Sequence, residues 1–396
     1  MTKRIGIITT FKANNYGAEL QAFALQKKLR LMGYDAELID YLFYKNKGYV
    51  YSKNSTPWKN FGLKDRIKHY LLYRVLNPLI AVWGNFLSST IRQRTKNFRE
   101  FHQNYSHMSK TYCSMDDLYA ADLNYDVYCV GSDQVWNPAT AISIEPYFLT
   151  FAPKDANKIS YASSFGVSTL PSETRQRYAN GLNNLRSISC REEDGVKLVK
   201  ELTGRDATHV VDPTLLLKAE EWKSIGKHSL CPTDGKYILL YNIYELDSIY
   251  QLARRISHEL GWPILKLCKR GFLLRKHKGV KNIPSAGPAD FVGLIEKAGL
   301  LLTNSFHGCA FAVNLQTPFW VLLDQKASNN SRLYSFLKSL HLENRVLEDT
   351  SLTNFDYLQD INYDNVNESL EAWRKKSLAY LKSAIEGKDN NELPDA

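Results

Sequence analysis

What most limits the fold of this chain is a repeated alternation of apolar runs and helical segments. "RIGIITT" (4–10) is a continuous apolar run of strand length, and "FKANNYG" is a polar loop. "AELQAFALQKKLRLMG" places Leu20, Phe23, Ala24 and Leu31 at helical spacing and stops at Gly33, after which "AELIDY" reads as the next strand. A strand buried on both faces reads as an unbroken apolar run, and the order strand–helix–strand calls for a parallel sheet. The alternation continues through "YDVYCVG", "KISYASSFG", "RSISCRE" and "THVVDP". A looser stretch at 213–236 reads as a hinge, and beyond it the pattern restarts with "YILLYNI", the helix "LDSIYQLARRISHELG" and the strand "PILKL". Helix "PADFVGLIEKAG", strand "LLLTNS", helix "GCAFAVNLQ" and strand "PFWVLL" follow, and "NVNESLEAWRKKSLAYLKSAIE" is a last long helix. At 396 residues the chain exceeds what one hydrophobic core usually serves. The pattern predicts an α/β fold of two Rossmann-like domains facing a cleft. The N-terminal domain spans 1–215 with a basic helical insertion at about 52–104, the C-terminal domain spans 216–386, and the polar tail 387–396 is expected to be disordered.

Charge adds a constraint on ligands. The surplus of +10 favours anions, but nucleic acid, phosphorylated small molecules and anionic membrane are all compatible with it. The six cysteines are scattered without a C-x-x-C, and Cys129, Cys190 and Cys309 sit in apolar runs, so buried thiols in a reducing compartment are expected. "MTKRIGIITT" enters a strand without the apolar core of a signal peptide, and "YLLYRVLNPLIAVWGNF" is interrupted by Arg74, Asn77, Pro78 and Asn85. A cytoplasmic protein is the expectation.

Chemistry in such sheets gathers at the carboxyl ends of strands. The stretch "LLLTNSFHGCAFAVNLQ" ends a strand, turns, and opens a helix whose free N–H groups suit phosphate or carboxylate. His307 stands in that turn with a side chain able to carry a proton near neutrality, beside Asn304 and Ser305, and Gly308 permits close backbone approach. The alternative is a structural histidine. "NNYGAE" is the first such turn, with Asn15, Tyr16 and Gly17 before a helix. "VGSDQVWNP" offers Ser132, Asp133, Gln134 and Trp136; here Asp133 as a helix cap and Trp136 as plain packing are equally good readings. "SISCREED" puts Arg191 at a strand end, suited to a bidentate anion contact or to a surface ion pair with Glu192 or Glu193. Lys326 and Arg332 follow the strand after the histidine turn. No H-E-x-x-H, G-x-S-x-G, Walker A or G-x-G-x-x-G run occurs.

As an ordered series, "NNYGAELQAFALQ", "YDVYCVGSDQVWNP", "KISYASSFG", "SISCREEDG", "VVDPTLLL" and "LLLTNSFHGCAFAVNLQTPF" resemble the polysaccharide pyruvyl transferase family over roughly residues 4–345. The resemblance implies a fold similar to the GT-B glycosyltransferases, with the final helix (Leu370, Trp373, Leu378, Leu381) packed back on the N-terminal domain. It implies transfer of pyruvate from phosphoenolpyruvate to two hydroxyls of a sugar, giving a cyclic ketal and phosphate, with no metal and no cofactor beyond the donor. His307 matches the family's catalytic histidine and Arg191 its donor-binding arginine. Asn15, Tyr16, Gly17, Ser132, Asp133, Gln134, Trp136, Ser164, Asn304, Ser305, Lys326 and Arg332 form the substrate-facing set expected with them. Two positions depart from better-characterised branches: Ser305 stands where they carry Arg, and Ala18 where they often carry Asp. Lys326, Arg332 and Arg345 are the cations left to take the missing charge.

Two rival readings remain at this stage, a GT-B glycosyltransferase using a nucleotide sugar and a non-catalytic relative that binds glycan or a partner enzyme. The first would want a carboxylate beyond the histidine turn for ribose hydroxyls, and "GCAFAVNLQTPFW" has none. The expected partners are phosphoenolpyruvate and a sugar acceptor, free or on a polyprenyl diphosphate, with no nucleic acid. The segment 58–101 interleaves cations with aromatic residues, so it suits either packing on the N-terminal domain or peripheral contact with an anionic membrane face.

Overall fold

The computed structural model describes residues 2–43, 89–139, 144–233, 235–269, 275–323, 330–347 and 356–387. Lys326, the stretch 58–88 of the basic insertion and the tail from 388 lie outside the described residues.

Two parallel sheets carry the molecule. The first has the order β2-β1-β3-β4, built from β1 (Arg4–Ile8), β2 (Asp35–Leu38), β3 (Val127–Val130) and β4 (Asn157–Ser160). A short pair, β5 (Ser189–Cys190) and β6 (Thr208–His209), continues it through bridges Ile159–Ser187 and Ser163–Cys190. The second has the order β12-β11-β10-β7-β8-β9. Its members are β7 (Ile238–Tyr241), β8 (Ile264–Leu267), β9 (Val280–Ile283), β10 (Leu300–Thr303), β11 (Phe319–Leu322) and β12 (Val346–Leu347). Every pairing is parallel. The central strands β3, β7 and β10 are buried throughout, as their unbroken apolar sequences require.

The looser stretch after 212 is not a hinge at its start. Residues Pro213–Leu216 and Ala219–Lys223 are helical, and Trp222 is fully buried between Phe23 and Phe311 at ring distances of 5.7 and 4.8 Å. One apolar cluster therefore runs from Ile7 and Cys129 in the first sheet, through Leu20 and Trp222, to Phe311 and Leu301 in the second. The final helix, Tyr363–Glu386, lies against the first sheet: Tyr380 Oη donates to the Ser160 carbonyl (2.8 Å) and Ser377 Oγ accepts from the Val211 amide (3.0 Å). Leu370 and Leu381 are buried along it, and Trp373 and Leu378 are half-buried.

Candidate active site

Two helix N-termini, one from each half, meet in the cleft. The helix Tyr16–Leu31 is capped by Asn15, whose Oδ1 accepts from the Gly17 amide at 3.1 Å. The helix Phe306–Leu315 is capped by Ser305, whose Oγ accepts from the Gly308 amide at 3.3 Å. That helix starts earlier than the sequence pattern suggested, so His307 lies in its first turn rather than in the preceding loop. Thr303 Oγ1 fixes the turn by accepting from the Ser305 amide (3.0 Å) and donating to the Tyr241 carbonyl (2.9 Å). Gly17 abuts the imidazole so closely that a Cβ there would lie 2.1 Å from His307 Nδ1.

The hub beneath the histidine is Asp212, at the cap of helix Pro213–Leu216 and fully buried. Its Oδ2 accepts from Arg191 Nη1 (2.9 Å) and Ser132 Oγ (3.1 Å) and lies 3.7 Å from His307 Nε2. Its Oδ1 accepts from the Thr214 amide and hydroxyl at 3.0 and 2.7 Å. Burial alone would raise this carboxyl, but His307, Arg191 and the Thr214 bonds outweigh it and hold it below the usual carboxylate range. Burial likewise pushes His307 below the ordinary imidazole value; Asp212 opposes that shift, and Arg191 and Arg332 reinforce it. Both shifts favour the deprotonated form, of the carboxyl and of the imidazole.

Arg191 is buried rather than on the surface, and its guanidinium lies 4.5 Å over the Phe306 ring. The expected ion pair with Glu192 forms, but buried rather than on the surface: Glu192 Oε2 lies 3.9 Å from Arg191 Nε, while its Oε1 accepts from Ser164 Oγ, the Phe165 amide and the Gly166 amide at 2.9, 2.9 and 3.2 Å. Arg332 is buried too, with Gln134 placing its amide oxygen 2.6 and 2.8 Å from the two terminal nitrogens once the amide is turned toward them. Burial lowers Arg332, and the neighbouring charge of Arg191 lowers it further. Three guanidinium nitrogens, Arg191 Nε and Nη2 and Arg332 Nε, are buried and make no hydrogen bond, and neither does His307 Nε2. Leaving such donors unmet costs about 1–3 kcal/mol each, more when charged.

A cavity of about 100 Å³ opens over these groups. Arg191, Arg332, His307, Asp133 and Gln134 line its depth, while Asn14, Asn15 and Lys269 are exposed at its edge and Tyr244 keeps 42% of its surface open there. Of the expected substrate-facing set, Asn15, Tyr16, Asp133, Gln134, Asn304, Ser305 and Arg332 line the cavity with His307 and Arg191. Four others act differently or stand elsewhere. Trp136 is a core residue stacked on Phe148 at 5.7 Å, its Nε1 bonded to the Tyr147 carbonyl (2.8 Å), so the packing reading is the right one. Ser132 and Ser164 are fully buried and serve Asp212 and Glu192, and Gly17 touches the histidine. Arg345 stacks on Trp320 at 4.8 Å and donates to the Asp360 carbonyl, away from the cavity. Of the cations expected to replace the missing arginine, Arg332 is the one among the described residues that lines the cavity. The sequence reading missed Asp212; its only signal was an aspartate capping a turn at a strand end in "VVDP".

Two parallel α/β domains, crossed by a returning C-terminal helix and meeting at a part-buried imidazole, a carboxylate and two guanidiniums, define an enzyme-like cleft of GT-B architecture. The chain belongs to the polysaccharide pyruvyl transferase family, whose model matches residues 15–324. Among solved structures, a protein described as a UDP-N-acetylglucosamine 2-epimerase from Listeria monocytogenes has 12% identity and a TM-score of 0.51, with 98% of each chain covered. The UDP-GlcNAc 2-epimerase from Neisseria meningitidis bound to UDP-GlcNAc has 12% identity and a TM-score of 0.45, covering 97% of this chain and 94% of that one. An alpha-glucosyltransferase in complex with UDP and DNA has 10% identity and a TM-score of 0.48, covering 99% and 97%. At these identities the likeness concerns the fold alone. No curated protein matches the chain. Among the described residues no helix is long and apolar enough to cross a membrane.

Proposed function

We propose that this chain transfers pyruvate from phosphoenolpyruvate onto two hydroxyls of a glycan as a cyclic ketal, in the assembly of a bacterial surface polysaccharide such as an exopolysaccharide or capsule. The observation that carries the reading is the pair of buried arginines, with donor nitrogens that no protein group meets, beside His307 in one cavity. Phosphoenolpyruvate presents a carboxylate and a phosphate on one small carbon frame, and two guanidiniums match both groups by charge and fork geometry. His307 would take the proton of the first sugar hydroxyl and pass it to the methylene carbon of the donor. The double-bond electron pair there accepts it as the sugar oxygen bonds to the cationic C2, so the addition balances without a proton from bulk water. The second hydroxyl displaces phosphate from C2, and its proton leaves with the phosphate. Asp212 steadies the imidazolium between these steps, and Arg191 and Arg332 hold the departing anion. The exposed edge, with two asparagine amides, a lysine and the Tyr244 ring, suits hydroxyls and the apolar face of a sugar.

The acceptor we favour is a sugar on a polyprenyl diphosphate at the cytoplasmic face of the membrane. The exposed cations Arg92, Lys96 and Arg99 on the helix Ser89–Tyr105 support peripheral contact with anionic lipid, at roughly 1 kcal/mol per cation. Incubation with phosphoenolpyruvate and a panel of free and lipid-linked sugars, following phosphate, tests the reaction. Phosphate release matched by a pyruvylated glycan is expected; nucleotide release from a sugar nucleotide, or no turnover with any donor, would overturn it. Flotation with anionic liposomes tests the surface, and absence of co-migration at low salt would refute it.

A further inference from the structure

One side chain from the helix Ser89–Tyr105 reaches into the junction between the two domains. Arg94 is 4% exposed, with its guanidinium 4.7 Å over the Tyr16 ring and 4.8 Å over Phe98. Its Nη1 donates to Tyr16 Oη and to the Ala286 carbonyl (2.9 Å). Its Nη2 donates to the carbonyls of Asn14 (3.0 Å) and Lys269 (3.2 Å). Tyr16 Oη has the carbonyls of Cys268 and Ala286 at 3.1 and 3.2 Å as acceptors, and burial pushes its own pKa up to about 12, so it stays a donor. Three residues along the same helix, Asn97 donates to the Ser285 carbonyl at 2.9 Å. Asn14 and Tyr16 belong to the first domain, and Lys269, Cys268 and Ala286 to the second. Asn14, Tyr16 and Lys269 also line the cavity.

No carboxylate among the described residues pairs with Arg94. A buried guanidinium neutralised only by carbonyl dipoles and ring faces is an expensive way to gain stability, because desolvation offsets most of the attraction. What it supplies is geometry: a planar fork whose two prongs each hold one acceptor from either domain. An ammonium offers a single point and cannot span both prongs.

We propose that Arg94 is a positioning residue, a cross-domain pin that works with Tyr16 to hold the two edges of the cavity in register. Without the pin, the cleft spends part of its time with the Asn14 and Lys269 edges apart, and a ligand that needs both sees only the assembled fraction. Apparent affinity then falls in proportion to that fraction, whereas saturating ligand restores the assembled form and with it the turnover number. A variant that merely misfolds in part behaves in the opposite way, losing turnover while its Michaelis constant stays put.

The test uses Arg94→Gln, Arg94→Lys and Tyr16→Phe in the full chain, with two readouts. Hydrogen exchange should quicken by about ten-fold or more at the amides of 14–17 and 285–287 together, with β3 and β10 unchanged. On the pyruvyl-transfer reading, on which only this second readout rests, the KM for phosphoenolpyruvate should rise by about ten-fold in the two Arg94 variants while kcat stays within about three-fold. Because Tyr16 lines the cavity, Tyr16→Phe is read by exchange alone. Wild-type exchange at both loops, a rise in one domain alone, or a fall in kcat at constant KM would overturn the pin. If the unaltered enzyme releases no phosphate, the functional reading fails and exchange still decides the pin. Should Arg94→Gln fail to fold, Tyr16→Phe keeps the ring packing and decides by the same exchange measurement.

Discussion

Gly17→Ala probes the contact on which the site depends most narrowly. Gly17 lies in the first turn of a helix, where alanine is the better residue by about 1 kcal/mol, so the substitution should not lower helix stability. The added Cβ, however, would stand 2.1, 2.4 and 2.7 Å from Nδ1, Cγ and Cε1 of His307. Ordinary contact needs about 3.5 Å, so imidazole and helix must separate by on the order of 1 Å. A misplacement of that size costs about 100-fold in rate, or roughly 2.7 kcal/mol of activation free energy. We expect kcat/KM for phosphate release to fall by about that factor while the melting temperature stays near wild type. A double cycle sharpens the assay: if the damage acts through the ring, Gly17→Ala should cost little more in a His307→Ala background. Wild-type kcat/KM in Gly17→Ala, or full additivity with His307→Ala, would refute the reasoning.

His307→Ala should lower turnover by about 100-fold or more with little change in melting temperature, as read by phosphate release and a thermal melt. The pH profile of kcat/KM should fall on its acid side with a midpoint below the ordinary imidazole value, because proton uptake by the depressed His307 removes the base. Asp212→Asn removes a charge that raises His307 and should move that midpoint lower still; a midpoint that moves up would contradict the assignment. Arg191→Met strips Asp212 of a buried partner and should destabilise the fold by on the order of 3 kcal/mol, measured by denaturant titration. Arg191→Lys keeps the charge but not the fork, so donor KM should rise, and an unchanged KM would show that the donor does not touch it.

What was legible in the sequence was whatever depended on local pattern. The strand ends that carry Asn15–Gly17, Arg191 and Asn304–His307 announced themselves because an apolar run, a polar turn and a helix follow in order. Trp136 and Ser164 sit in the same kind of turn, but their side chains point into the core and toward Glu192, which period alone does not reveal. Strand β9 escaped notice because "VKNI" alternates and is partly exposed at an edge of the sheet. Asp212 and Arg94 escaped for a tertiary reason. Each resembles a routine element, a cap before proline and a cation on a polar helix, until chain more than 90 residues away closes over it: His307 over Asp212, and the Lys269 and Ala286 loops over Arg94.

The departure at Ser305 also has a physical resolution. An arginine there would sit at the mouth of the helix Phe306–Leu315, adding its charge to the positive end of the helix dipole. Serine instead caps that helix, and the cation Arg332 lines the same cavity. Arg332 is turned toward Gln134 of the first domain and shares the cavity with Arg191. Two like charges in one dry pocket repel, and the lowered pKa of Arg332 records part of that strain. A doubly charged ligand between them removes the repulsion and meets the open nitrogens at once. A singly charged or neutral ligand would do neither in full.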